Sequence, residues 1–415
     1  MSAEDQAHVE RAVAHAHERE WAFVLAATAR VAGDLDLAED CVQDAYAQAM
    51  VHWSASGIPR RPGAWLTTVA TRRALEVRRR AATLAGKLPL LVPDLAPAGG
   101  DGPDRFPDDR LRLVFTCCHP ALPIQAQVAL TLRLVCGLSS AEVARALLVK
   151  EAALQARITR AKRKIAQTRI PYRVPGEDQL PERVEVVLDV IHLVYSSGHT
   201  AAAGRELSRG DLAARGIDLA RMLHQLLPDD GEVTGLLALL CLTESRRAAR
   251  VGPDGHLVLM EDQDRSAWDR RQIDEGLALV RRALVHPPAG RYALMAAIAA
   301  IHAEAPRWAD TDWHQLVGLY DLLRRRWPSP VVALNRVVAV SFADGPERAL
   351  AELDALGDEP SLATYPYLAA TRADLLRRLD RRREAVEAYQ EALLLTENAV
   401  EADFLARRIE AMRDG

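Results

Sequence analysis

The stretch that begins at Leu138 and continues SSAEVARALLVKEAALQARITRAKRKI constrains the fold more than any other. Val143, Ala144 and Leu147 recur at helical spacing, Val149 sits at a turn, and Leu154 and Ile158 resume the spacing beyond it. Two helices joined by a tight turn, a helix-turn-helix, satisfy that pattern, and a strand with its period of two does not. Between Val143 and Arg173 the cations are Arg145, Lys150, Arg157, Arg160, Lys162, Arg163, Lys164, Arg169 and Arg173, against the single acid Glu151. An apolar seam with cations on the remaining faces suits a polyanion, because each neutralised phosphate releases condensed counterions. A solvated helix in a bundle would show the same composition, so this segment alone leaves both readings open.

At 415 residues the chain exceeds one ordinary core, and two to four domains are expected. Hydrophobic content of 49% with only 5% aromatics, and many Ala, Leu and Arg, points to helices throughout. The most apolar stretches, such as residues 292–303, are too short to cross a bilayer, and no run resembles a signal peptide. A cytoplasmic protein without a membrane partner is therefore expected. Net charge is −4, but residues 1–180 hold 24 Lys and Arg against 20 Asp and Glu, and the remainder 29 against 37. Contact with nucleic acid is thus expected in the front part only. The five cysteines form no CxxC pair; Cys117-Cys118-His119 is their one cluster, read as a structural helix start shaped by Pro120 and Pro123.

Residues 5–80 read as a helical module: an Ala-rich helix, a break at residues 33–36, a helix from Leu37 to Val51, a Gly/Pro loop, and a basic helix from Ala64 to Arg80. Residues 81–107 are a linker rich in Pro, Gly and Asp, a composition that cannot build a core. Residues 108–168 form a second helical module ending in the helix-turn-helix, and residues 169–180 a second linker. From 181 to 415 the pattern is helical, with a small–bulky–small spacing at Gly276/Val280/Ala283, Leu316/Tyr320/Leu323, Ala349/Leu353/Leu356 and Ala385/Tyr389/Ala392. Intervals of 40, 33 and 36 residues look like tetratricopeptide helix pairs, with an irregular bundle as the alternative.

In the 37–51 helix, Ala38, Val42, Ala45 and Ala49 make one stripe, and Glu39, Asp40, Gln43 and Asp44 lie on a neighbouring face. That face is either solvent decoration or a docking surface for a basic partner. The following basic helix carries Thr67, Thr68, Arg72, Arg73, Arg78, Arg79 and Arg80 after a loop bearing Arg60 and Arg61, flanked by Trp53 and Trp65. Arginines among aromatics and hydroxyls hold a backbone and stack unpaired bases; Trp65 is expected in the core instead. His192, His199, His224, His286, His302 and His314 are scattered, with neither metal spacing nor a glycine-rich phosphate loop, so neither an enzyme nor a metal or cofactor is expected.

AEDCVQDAYAQA resembles the core-polymerase-binding helix of sigma region 2, and PGAWLTTVATRRALEVRRR the adjoining minus-ten-reading helix. LSSAEVARALLVKEAALQARITRAKRKI resembles the minus-thirty-five-reading end of sigma region 4. Together they resemble an extracytoplasmic-function (ECF) RNA polymerase sigma factor. VFTCCHPAL, ALTLRLVCGLS, IPYRVP, EDQDRSAWDR, PSPVVALNR and ENAVEADFLARR narrow the resemblance to the subgroup with a C-terminal tetratricopeptide-like extension. Where that family commonly reads Arg-Asn-Arg-Ala-Ile-Asp, this chain has Thr71-Arg72-Arg73-Ala74-Leu75-Glu76, implying either an altered promoter preference or weaker minus-ten contacts. Lys150 stands at the cap of the second helix, where it cannot accept a bond from the helix amides as Ser would.

The resemblance implies an all-α chain of two small sigma modules plus a helical-repeat extension. Its partners would be core RNA polymerase, through the β′ and β subunits, and promoter DNA. Glu39, Asp40, Gln43 and Asp44 would dock on polymerase; Arg60, Arg61, Arg72 and Arg73 would hold the melted minus-ten strand. Gln155, Arg157, Arg160, Lys162 and Arg163 would face the minus-thirty-five groove or its phosphates. The extension would regulate the modules, by an intramolecular contact or through a protein partner. The alternative is a one-component DNA-binding regulator with a repeat sensor, which would bind an operator tightly without polymerase.

Overall fold

The computed structural model describes residues 3–86, 108–147, 149–200, 207–285, 288–357 and 359–413, so most of the Pro/Asp linker lies outside the described residues. Every named element is helical, and the one extended pairing among the described residues is an isolated bridge between Val251 and Leu257. The chain divides into two compact units, Met1–Ile191 and His192–Gly415.

The first unit opens with α1 (Ala3–Ala32), α2 (Leu35–Ser56) and α3 (Pro62–Gly86), which pack on one another. Gly33 separates α1 from α2 with a left-handed φ of 70°, and the Asp34 carboxylate then caps α2 by accepting from Leu37 N at 2.8 Å. Ala38, Ala45 and Ala49 on α2, with Ala70 and Ala74 on α3, are fully buried; small side chains let these helices approach closely. Trp65, expected in the core, reaches it only in part. Trp53 is 2% exposed and Trp65 is half-buried, packing edge-on against it at 5.6 Å. The reason is phase: Leu66, Ala70 and Ala74 define the inner stripe of α3, and Trp65 lies about 100° round from Leu66.

The second half of this unit holds α4 (Asp109–Cys117), α5 (Ile124–Leu130), a π-helical turn (Thr131–Val135), α6 (Ser140–Ala146) and α7 (Glu151–Gln167). Cys117 and Cys118, expected at a helix start, instead end α4; it is Pro123 that opens α5. Both thiols are buried, and Cys118 Sγ lies 3.5 Å from Thr131 Oγ1. Ser139 and Glu142 form a reciprocal capping box at the start of α6, whereas Lys150 caps α7 with no side-chain bond. Leu154, Ile158, Ala161 and Ile165 make the buried seam of α7, the three larger ones worth roughly 1.5–3 kcal/mol each.

Three bonds distant in sequence tie α1 to this half. Trp21 Nε1 donates to Leu134 O at 3.0 Å, Tyr172 OH donates to Ala26 O at 2.9 Å, and Arg30 pairs with Asp109 at 3.0 Å. Early in α8 (Leu180–His199), Arg183 donates to Phe115 O at 2.6 Å.

The second unit continues with α9 (Gly210–Leu226), α10 (Gly231–Glu244), α11 (Arg270–Ala283) and α12 (Arg291–Glu304). α10 is apolar on every face and is accordingly packed on by α9, α11 and α12. At Gly235 a Cβ would fall 2.5 Å from Ala293 N, so α10 and α12 touch backbone to backbone there. Beyond them run α13 (Trp313–Arg326), α14 (Pro330–Ala343), α15 (Pro346–Asp354), α16 (Pro366–Arg378), α17 (Arg382–Leu395) and α18 (Ala399–Arg413), each packed on its neighbour in sequence. The four small–bulky–small sets begin on alternate helices, α11, α13, α15 and α17, with Gly276, Leu316, Ala349 and Ala385 all buried; Leu356 of the third set lies just past the end of α15. Val340, Leu353, Ala373, Ala385, Tyr389 and Leu405 belong to one core running from α14 to α18.

Candidate nucleic-acid interface

Two faces of α2 carry its polar residues, and they differ in surroundings. Asp40, Gln43 and Asp44 are exposed, whereas Glu39 turns inward with its side chain 7% exposed. Leu35, Tyr46 and Trp53 widen the buried face of α2 to the side on which Glu39 sits. Two cations of the second half meet it there. Arg133, in the π-helical turn, places Nη2 2.5 Å from Glu39 Oε1, and Lys162 of α7 places Nζ 2.5 Å from Glu39 Oε2. Lys162 also reaches Asp36 at 2.6 Å. Burial by itself would push the lysine pKa down, but the charges and hydrogen bonds of Glu39 and Asp36 outweigh it and hold it above the ordinary value. The four groups form a compact network of two anions and two cations.

The five α7 residues singled out for DNA do not share one face. Arg160 and Arg163 lie opposite the buried seam and are exposed; Arg157 lies on one flank, half-buried; Gln155 and Lys162 lie on the other. Gln155 donates to Glu151 at 3.1 Å, and Lys162 is committed to Glu39 and Asp36. On α3 and its leading loop, Arg60, Arg61 and Arg72 are exposed and make no ion pair among the described residues. Arg73 pairs with Asp44 at 3.5 Å and Glu76 at 3.7 Å, solvent-exposed contacts worth at most about 1 kcal/mol. The hydroxyls of Thr67, Thr68 and Thr71 donate back to carbonyls one turn earlier, leaving only lone pairs to a ligand.

Arg133 and Asp36 belong to the network and escaped the sequence reading. Arg133 sits in an apolar run, ALTLRLVCGL, and Asp36 in the break before α2; an isolated charge inside an apolar run was the one available signal. Among the described residues no group of His, Cys, Asp and Glu is placed to hold a metal, and no helix is long and apolar enough to cross a membrane.

Three family models match the chain: Sigma-70 region 2 over residues 18–83, Sigma-70, region 4 over residues 112–165, and a family of unknown function, DUF6596, over residues 183–284. The chain is 43% identical over 383 residues to "Uncharacterized protein R00370" of Rhizobium meliloti (strain 1021), an alignment covering 91% of this chain and 90% of the relative. No solved structure matches.

Proposed function

The chain belongs to the same family as that Rhizobium meliloti protein and, by its sigma-70 regions 2 and 4, is a sigma factor, a non-catalytic initiation factor; from this premise we propose an alternative sigma factor of the extracytoplasmic-function type, acting in the cytoplasm. It docks on core RNA polymerase through the exposed Asp40, Gln43 and Asp44, and through Glu39 once that residue is released. Arg60, Arg61, Arg72 and Arg73 hold the melted minus-ten strand, and Arg160 and Arg163, flanked by Gln155 and Arg157, meet the minus-thirty-five duplex.

One observation carries this reading. Glu39, the acid assigned to polymerase, and Lys162, a cation assigned to DNA, are bonded to each other. Neither reaches its assigned partner while that pair is closed. The free chain therefore holds itself shut, and polymerase competes with Lys162 and Arg133 for Glu39. Binding of the free chain to promoter DNA is accordingly weak, and specific initiation needs the core enzyme. In-vitro transcription across a promoter library tests this: start-site choice must depend on both the chain and core polymerase, and Asp40→Ala with Asp44→Ala must reduce it. Tight operator binding by the chain alone would support a one-component regulator instead.

The extension reads as tetratricopeptide-like, because its small–bulky–small anchors recur on alternate helices. Its proposed role is regulation of the sigma modules, in cis or through a protein partner. Deleting residues 192–415 leaves α8's Arg183–Phe115 bond in place and must change promoter output; unchanged output would sink this role.

A further inference from the structure

The segment EDQDRSAWDR, residues 261–270, has no part in the proposed initiation role, yet it sets the half-buried Arg265 against backbone carbonyls of the second unit. Arg265 donates from Nη1 to His302 O and Ala305 O, both at 2.5 Å, and its guanidinium lies 4.7 Å over the Trp268 ring. Its Nη2 is buried with no partner. Arg250 is 8% exposed and donates to His199 O and to Thr200 Oγ1. Arg246 is half-buried and bonded to no acid among the described residues; burial, then the charge of Arg250, pushes its pKa down to about 10. Burial, then the charges of Arg246 and Arg265, hold the His302 imidazole at about 4, and its Nδ1 is buried without a partner, as are Trp268 Nε1 and Thr311 Oγ1.

Arg246 and Arg265 thus both act on one neutral histidine, with Arg250 next to Arg246, and none of the three has a carboxylate in ion-pair contact among the described residues. The acids in reach are engaged elsewhere: Glu244 with Tyr195 OH at 3.2 Å and Arg247 at 2.9 Å, Asp310 with Arg307 at 2.7 Å, and Glu401, which acts on Arg250 from a distance, with Tyr367 OH at 2.7 Å. Like charges out of water repel, and buried polar groups of folded proteins are normally satisfied. An oxyanion supplies what is missing: countercharge, acceptors for the open N–H donors, and a geometry that the guanidinium fork matches. Trp308 extends the site. Its ring is parallel to that of His302, centroids 6.1 Å apart, and it also lines a cavity of about 320 Å³ with Phe342, Tyr367 and Phe404. That volume is the size of a small-molecule site.

We propose that Arg246, Arg250 and Arg265 bind the phosphate of a small phosphate monoester whose apolar, ring-sized body lies against Trp308. Calorimetric titration of the full chain with phenyl phosphate, inorganic phosphate and succinate, at ionic strength matched with sodium chloride, tests it. Phenyl phosphate is expected to bind tightest and inorganic phosphate more weakly. Arg246→Gln is expected to weaken both at least about ten-fold and, without anion, to melt above the unsubstituted chain because a repulsion is gone. Arg265→Lys, which keeps the charge and loses the fork, is expected to weaken phenyl phosphate several-fold. No heat beyond the chloride control, or succinate binding tighter than both phosphates, overturns the proposal. The measurement needs no polymerase, so its failure leaves the sigma-factor reading untouched.

Discussion

Removing Glu39 or Lys162 singly and together measures how firmly the first unit is closed. Glu39→Gln leaves Arg133 without its anion and Lys162 with only Asp36, whose side chain is 69% exposed. Taking one partner from a buried pair costs about 3–5 kcal/mol, and the residual Asp36 contact places this variant near the lower end. Lys162→Met is milder, about 1–2 kcal/mol, because Glu39 keeps Arg133 at 2.5 Å. The two losses must not add; a coupling of about 1–3 kcal/mol is expected for side chains in direct contact. A two-unit chain does not unfold in one step, so hydrogen exchange of the α2 and α7 amides is the assay. Because Lys162 titrates above its ordinary value, its contribution is complete below the unfolded lysine pKa and lost as pH rises through the folded one; protection is flat across neutral pH. Coupling below about 0.5 kcal/mol would show that the network is a by-product of packing and that nothing holds the modules shut.

Other outcomes follow from single sites. His199 is buried and held at about 4, chiefly by burial, against 6.5 when free. The unfolded chain therefore takes up a proton first, and the second unit should lose up to about 3 kcal/mol as pH falls from 6.5 to 4, a loss that His199→Asn reduces in thermal melts. Lys150→Ser supplies the missing acceptor at the start of α7 and should add about 0.5–1 kcal/mol, read as slower exchange in its first turn. Ser139→Ala should remove about 1 kcal/mol from α6 by the same measurement. Burial pushes the Cys118 thiol up to about 12 and the Cys117 thiol well above its ordinary value, so brief alkylation at pH 8 should label half-exposed Cys136 and spare both; label on Cys118 would contradict the packing of α4.

Local periodicity made much of this fold legible. Leu154 and Ile158 on α7 and the break at residues 33–36 each depend on residues within two turns of one another, and they stand as the sequence placed them. Glu39 was harder. The stripe Ala38, Val42, Ala45 and Ala49 set one edge of the buried face, and nothing local shows that Tyr46 and Trp53 extend that face to the acid's side. Trp65 fell short of the expected core for the same reason: its burial depends on which helix stripe it continues, and Leu66, not Trp65, is on the inner stripe of α3. Arg133 reaches Glu39 from ninety-four positions away, a separation over which spacing carries no information.

The turn at Thr131–Val135 holds one residue more than a regular coil of helix, and Arg133 lies inside it. Deleting a single residue there would restore regular winding and take away the wide turn from which Arg133 and Leu134 are presented. Arg133 would leave Glu39, and the carbonyl of Leu134 would leave the Trp21 indole. Among relatives this stretch should therefore tolerate changes of letter far better than changes of length.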